Sequence, residues 1–408
     1  MNILENFYAA TGEVVLRDAN GNPSVFVRHP KVNSSFFASM LPNAPHPAFV
    51  VGETTDPALL IGKYKSSQLA GLSTMYSLPN ATSATDVNRA GHQERSEGFG
   101  HNATMLTIAD HGLLMLMAQT SDRIVRGREI NTYSWADGTP WAWNKTVQVG
   151  DIRLFNSWKY QCLEAHTTSA SNGTNAYLPP DHPELWKKLT RCGGTPDTSC
   201  GEYHNQYQET LTGSGPLSWY LNHDISMETD IGGGRMENLL GVRLSDCEIQ
   251  ILPNNNVADP SYTPQASDWR AILPNANDNG YTLVAPGTTG TLKFNMLSAS
   301  SIKLDTEASA RNDYSMMHFR NLTANAEHVP YVPTIMYELG LFPLPNCQLQ
   351  GDLFIQKSTG VMYAATHGSP NIPAAESTNP NGMAQLYFST VNATATNYGS
   401  RLRARLTE

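Results

Sequence analysis

After Gly213 loops rich in Asn, Pro and Gly interrupt the apolar runs before any can build an extended helix. Short strands joined by turns are therefore expected in this half of the chain. Gly241-Val242-Arg243-Leu244 and Glu248-Ile249-Gln250-Ile251-Leu252 read as a hairpin, and GDLFIQ, GVMYAATHG, AQLYFST and GSRLRARL as closely spaced strands towards the C-terminus. One or two helical turns are expected after Pro333, since proline presets the first turn of a helix.

The start of the chain follows the same grammar. Glu13 to Val27 holds two β-branched runs around Asn20-Gly21-Asn22, a strong hairpin signal. Pro42, Pro45 and Pro47 then break any regular element, and Ala48–Val51 and Leu59–Tyr64 read as two short strands. Residues 1–47 are expected to form an N-terminal β attachment element with a Pro-rich linker. Two segments depart from the pattern: Thr85–Glu97 reads as an exposed helix capped by Thr85 or Asp86 and ending before Gly98, and Thr107–Gln119 as an apolar helix behind a Thr107 or Asp110 cap. The methionines of the second helix are expected to be core.

Five of the seven tryptophans, Trp135, Trp141, Trp143, Trp158 and Trp186, fall between Thr132 and Lys188. This reads as an inserted all-β module, residues 132–205, with strands Val149–Phe155 and Lys159–Leu163 around Asn156-Ser157 and a closing strand Leu185–Leu189. It would split a main domain into residues 48–131 and 206–408.

Composition narrows the function. Only 15% of residues are charged and the formal net charge is −9, which excludes a disordered solvating chain and a basic nucleic-acid binder. The first residues lack the basic start and apolar stretch of a signal peptide, and Gly112–Ala118 is too short to span a bilayer, so no membrane insertion is expected. Five cysteines without a CxxC pair suggest reduced thiols; a local Cys192–Cys200 bridge is conceivable. No HExxH, phosphate loop or GxSxG elbow occurs, and Gly232-Gly233-Gly234 reads as a turn. Asp224, Glu228 and Asp230 are the one set that invites a calcium reading, but no metal or other cofactor is expected and no catalytic residue stands out.

Two resemblances add to this. The string GDIRLFNSWKYQCLEAHTTS, followed by prolines and Trp186, resembles the small chitin-binding module of bacterial chitinases over about 40 residues. That resemblance implies glycan contact through Trp143, Trp158, Tyr160 and Trp186, with a plain spacer as the other reading. The two helices, GSGPLSWYLNHD, DIGGGRMENLLGVRLSDCEIQILPNNNVADP and the terminal YGSRLRARL together resemble the C-type-lectin-like proteins of phages and prophages, of the formylglycine-generating-enzyme type. Glu237, Gly399 and Arg401 match that family's two signature motifs. Its enzymes use a cysteine pair near the C-terminal strands; this chain has only Cys347 after Cys247, so that activity is not expected.

The resemblance implies an α+β, C-type-lectin-like fold with two helices and many short strands, carrying the insert and the N-terminal β element. It also implies a non-enzymatic phage virion protein, a tail or fibre tip adhesin made in the host cytoplasm. Its partners would be a host cell-surface receptor, glycan or protein, and other virion tail proteins. Presentation as a homotrimer is expected, because weak sites gain avidity together. A structural decoration protein without a ligand is the alternative. The receptor-contacting stretch would be the family's diversified end, here Tyr363, Thr366, His367, Ser369, Asn371, Asn379, Asn381, Asn392, Thr394, Asn397 and Tyr398. Polar loops on a rigid scaffold can vary without loss of fold.

Overall fold

The computed structural model describes residues 12–84, 87–121, 123–125, 138–169, 177–197, 210–309, 311–357, 360–366, 383–389 and 398–406. Among them the architecture is mixed α+β, with many short strands and few helices.

The expected hairpin forms between Glu13–Arg17 and Pro23–Pro30, in the register Glu13 to Val27. Asp18 builds its turn by accepting from the backbone N–H groups of Asn20 and Asn22 at 2.9 and 2.8 Å. The hairpin is not a separate element, however. Pro23–Pro30 pairs with Ala58–Gly62, which pairs in turn with the last strand, Leu402–Arg405, so both ends of the chain close one five-stranded sheet that Thr104–Met105 completes. Phe26 packs with Leu60, Tyr76, Phe99 and Leu402, and the expected boundary at Pro47 divides nothing at this level.

The helix Ile108–Gln119 has Thr107 as its N-cap, with Asp110 returning the bond in a capping box. Nearly every side chain on it is buried, Met115 included, so it lies inside the core and not on its surface. Gly112 lets the backbone of Glu338 and Leu339 approach: a Cβ there would sit 1.9 Å from the Glu338 carbonyl oxygen. The other long helix is shorter than expected, Arg89–Glu97, because Asn88 supplies the cap, its side chain accepting from Gly91 N–H at 2.8 Å; Thr85 and Asp86, the expected caps, lie outside the described residues. Thr334–Glu338 gives the short helix after Pro333.

The large sheet runs in the order Tyr314–His318, Asp352–Gln356, Leu386–Ser389, Val361–Thr366, Met236–Ser245, Glu248–Ile251, Lys293–Ser298, Ser301–Asp305, Thr323–Ala324. Asp246 and Cys247 both take positive φ, 47° and 65°, the two-residue turn whose twist suits a hairpin. Asn156 and Ser157 do the same in the insert, at 45° and 70°, between Ile152–Phe155 and Trp158–Cys162. The insert has its own four-stranded sheet and its own apolar cluster, with no strand shared with the others among the described residues. No helix of the described residues is long and apolar enough to cross a membrane.

Candidate functional site

Strand alternation decides which side chains the large sheet shows to either side. Leu353, Ile355, Met362, Ala364, Leu386 and Phe388 point into the main core together with Val242 and Leu244. Their neighbours form the opposite face. Phe354 lies beside Tyr387, Tyr387 beside Ala365, and Tyr363 beside Arg243, each pair directly opposed in register.

These outer side chains form two contiguous groups. Tyr314, Phe354 and Tyr387 stack in series, with ring centroids 5.8 Å and then 4.2 Å apart. Because the rings turn their faces to one another, the ladder shows its edges outward, and the edge of an aromatic ring carries partial positive charge. The second group alternates cations with rings: the Arg89 guanidinium lies 4.4 Å from the centre of Tyr363, and that of Arg243 lies 4.1 Å from the centre of Trp269. Phe354, Tyr387, Tyr363, Arg89 and Arg243 are all half-buried, so this face is only partly withdrawn from solvent.

Of the expected receptor contacts, Tyr363 belongs to this face. Thr366 does not: it is 0% exposed, its hydroxyl donates to the Gln385 carbonyl at 2.5 Å, and the pleat turns it to the core side. Tyr398 is also buried, in a cluster with Met236 and Ala365, its hydroxyl 3.4 Å from Ser389 Oγ. Both are packing residues. His367, Ser369, Asn371, Asn379, Asn381, Asn392, Thr394 and Asn397 lie outside the described residues. Sequence reading passed over Arg89, Arg243, Phe354 and Tyr387, since a half-buried arginine on a helix and one on a strand give no joint signal in one dimension.

In the insert, Tyr160 and Trp186 are core residues, not platforms: both pack with Trp141, Val147 and Cys162, and Trp186 Nε1 donates to the Tyr177 carbonyl at 3.2 Å. Trp158 is half-buried with the Lys188 ammonium 3.7 Å from its ring centre, so one face is already taken. Trp143 is half-buried and meets Trp141 edge to face at 4.6 Å.

The conceivable calcium set does not assemble. Glu228 Oε1 lies 2.5 Å from His29 Nε2 with both side chains buried, Asp230 accepts from Gly213 N–H at 2.7 Å, and Asp224 accepts from Ser226. Among the described residues, Asp305, Glu307 and His328 are the group whose ligand atoms lie close enough for a metal. Asp305 is already engaged by Asn295, Asn325 and His328, at 3.1, 3.0 and 2.8 Å. Burial would raise its pKa, yet these hydrogen bonds hold it well below the usual carboxylate range, while the bond to Asp305 raises that of His328. These bonds tie the turn at Asn325 and His328 to the strand pair that carries Asn295 and Asp305. Cys162, Cys247 and Cys347 are free thiols. Cys200, and with it any bridge to Cys192, lies outside the described residues. A cleft of about 150 Å³ between Pro45, Val50, Ile251, Tyr281 and Ile335 is walled mainly by apolar groups.

The two motifs that carry the lectin-like resemblance meet in space. Glu237 and Gly399 pair on parallel strands, and Arg401 reaches both Glu237 oxygens with all partners buried, its Nη2 at 2.8 Å from Oε1. Arg401 also donates to the carbonyls of Gly62, Lys63 and Thr229, at 2.9, 2.9 and 2.8 Å. No family model matches the chain, and no curated protein matches it.

Proposed function

We propose that this chain is a non-enzymatic receptor-binding protein of a phage virion, a C-type-lectin-like adhesin at a tail or fibre tip, presented as a homotrimer. The buried Arg401–Glu237 clamp supports the lectin-like part of this reading, because it joins the two motifs on which the resemblance rests. The observation that carries the binding role is the outer face of the large sheet: aromatic edges and Arg243 held on paired strands, with Arg89 reaching Tyr363 from its helix, a rigid support for contact. The strands bearing Tyr363 and Tyr387 continue in sequence into the Asn-rich segments 367–382 and 390–397, so face and loops belong to one stretch of chain. Trp143 is the remaining candidate for a secondary glycan contact in the insert.

Changing Tyr363 and Tyr387 together to Ala in the phage should abolish adsorption to host cells, with the protein still incorporated in particles. Adsorption at the level of the unchanged phage would favour a decoration protein without a ligand. Light scattering of the purified protein should give a mass three times the 44.7 kDa of one chain.

A further inference from the structure

Arg89 and Arg243 stand beside one tyrosine, and among the described residues neither has an acidic partner. Arg89 Nη2 donates to the Leu239 carbonyl at 2.6 Å, and its buried Nε has no partner. Arg243 Nε donates to Gln250 Oε1 at 2.7 Å. No carboxylate among the described residues lies within ion-pair distance of either guanidinium. The acid nearest in this network, Glu248, is one glutamine removed: its oxygens accept from the Gln250 amide, the Gly287 N–H and the Thr291 hydroxyl.

The contrast with the closing strand is instructive. Arg401, Arg403 and Arg405 are paired with Glu237, Asp110 and Asp56, at 2.8, 2.9 and 2.8 Å. At these three positions the withdrawn guanidinium is matched by a carboxylate. At Arg89 and Arg243 the described residues supply a carbonyl, an amide and aromatic rings, which hold the cation in place without a carboxylate. Burial lowers the pKa of both, that of Arg89 to about 10. Withdrawing two cations from water without counter-charge is costly, and an arriving anion recovers that cost. The neighbouring ring edges of Tyr314, Phe354 and Tyr387 also favour negative charge over positive.

We propose that Arg89, Tyr363 and Arg243 form the binding site for an anionic glycan, whose carboxylate or phosphate is held by the two guanidiniums while the sugar extends along the aromatic ladder. This rests on the receptor-binding reading of the same face and names the chemistry of its ligand. The planar guanidinium fork matches either anion in two-point contact. Tyr363 sets the spacing, as the ladder partner of Arg243 and the ring under Arg89.

The test is a glycan array holding neutral members, members bearing uronic or nonulosonic acids, and phosphorylated members, probed with the full-length protein at low and high salt. Retention should be confined to anionic members, should weaken with salt, and should fall about tenfold or more in Arg89→Gln and in Arg243→Gln. Which anionic group is retained identifies carboxylate or phosphate as the source. Thermal unfolding of each variant separates lost binding from lost fold, and Arg243→Lys, which keeps charge without the fork, should bind between the two. Retention of neutral glycans, of none, or equal retention by well-folded variants overturns the proposal. In the phage, adsorption that survives both Arg→Gln changes but is lost with Tyr363 and Tyr387 would leave the receptor face standing and remove only its anionic ligand. Survival in both cases removes the two readings together.

Discussion

At the scale of single residues, charge is placed by burial. Arg401 and Glu237 are both 0% exposed, so the pair is held by geometry and by the carbonyls around it, and removing one partner strands the other. Glu237→Ala is expected to cost about 3–5 kcal/mol in a denaturant titration, the usual penalty for an orphaned buried charge. A loss below about 1 kcal/mol would mean the pair acts no differently from one at the surface. Asp18 gives a pH signature. Its burial would raise the pKa, but the Asn22 amide, the Tyr76 hydroxyl and the N–H groups of Asn22 and Asn20 outweigh this and hold it at about 2, against an ordinary 3.8. A depressed folded pKa contributes stability that is present above the ordinary value and lost as pH falls towards the folded one. The melting-temperature gap between the native chain and Asp18→Ala should therefore narrow from about pH 5 down to about pH 2. A gap that stays constant over that range contradicts the assignment.

At the scale of elements, the two long helices show where local rules hold and where packing overrules them. Thr107 and Asp110 form the capping box their spacing invites, and Asn156-Ser157 makes the turn that its position between two strands suggests. Gly112 is different. Inside a helix an alanine is ordinarily better than glycine by about 1 kcal/mol, yet here its methyl would meet the backbone of Glu338 and Leu339 at 1.9 to 2.7 Å. Backbone cannot rotate away as a side chain can, so Gly112→Ala should destabilise by about 1–3 kcal/mol, seen as a lowered melting temperature. A raised melting temperature would show that the helix and the Thr334–Glu338 turn can part without penalty. The aromatic ladder is also an element-scale product, because it needs three strands far apart in sequence to be laid side by side in one register.

At the scale of the whole molecule, the chain closes on itself. Ala58–Gly62 is flanked by the opening hairpin on one side and the last strand on the other, so removing residues 1–30 would uncover both an edge and the cluster around Phe26. Such a truncation is expected to yield no soluble folded protein. A soluble product with a cooperative thermal transition would restore the view of the N-terminus as a separable attachment element. The opening hairpin, the hairpin around Asp246-Cys247, both long helices and the turn after Pro333 were legible in the sequence, because alternation, caps and turn residues act between near neighbours; Ala48 and Phe49, expected in a strand, instead lie in the 3-10 turn that Pro47 starts, and the strands from Arg270 to His318 were not read. Pairing between strands distant in sequence, the buried sides of Thr366, Tyr398, Tyr160 and Trp186, and the union of Arg89 with Tyr363 and Arg243 were not legible. They depend on which strands lie side by side. A single residue reports its own polarity, but whether it faces core, solvent or another charge is decided by chain that is distant in sequence and adjacent only after folding.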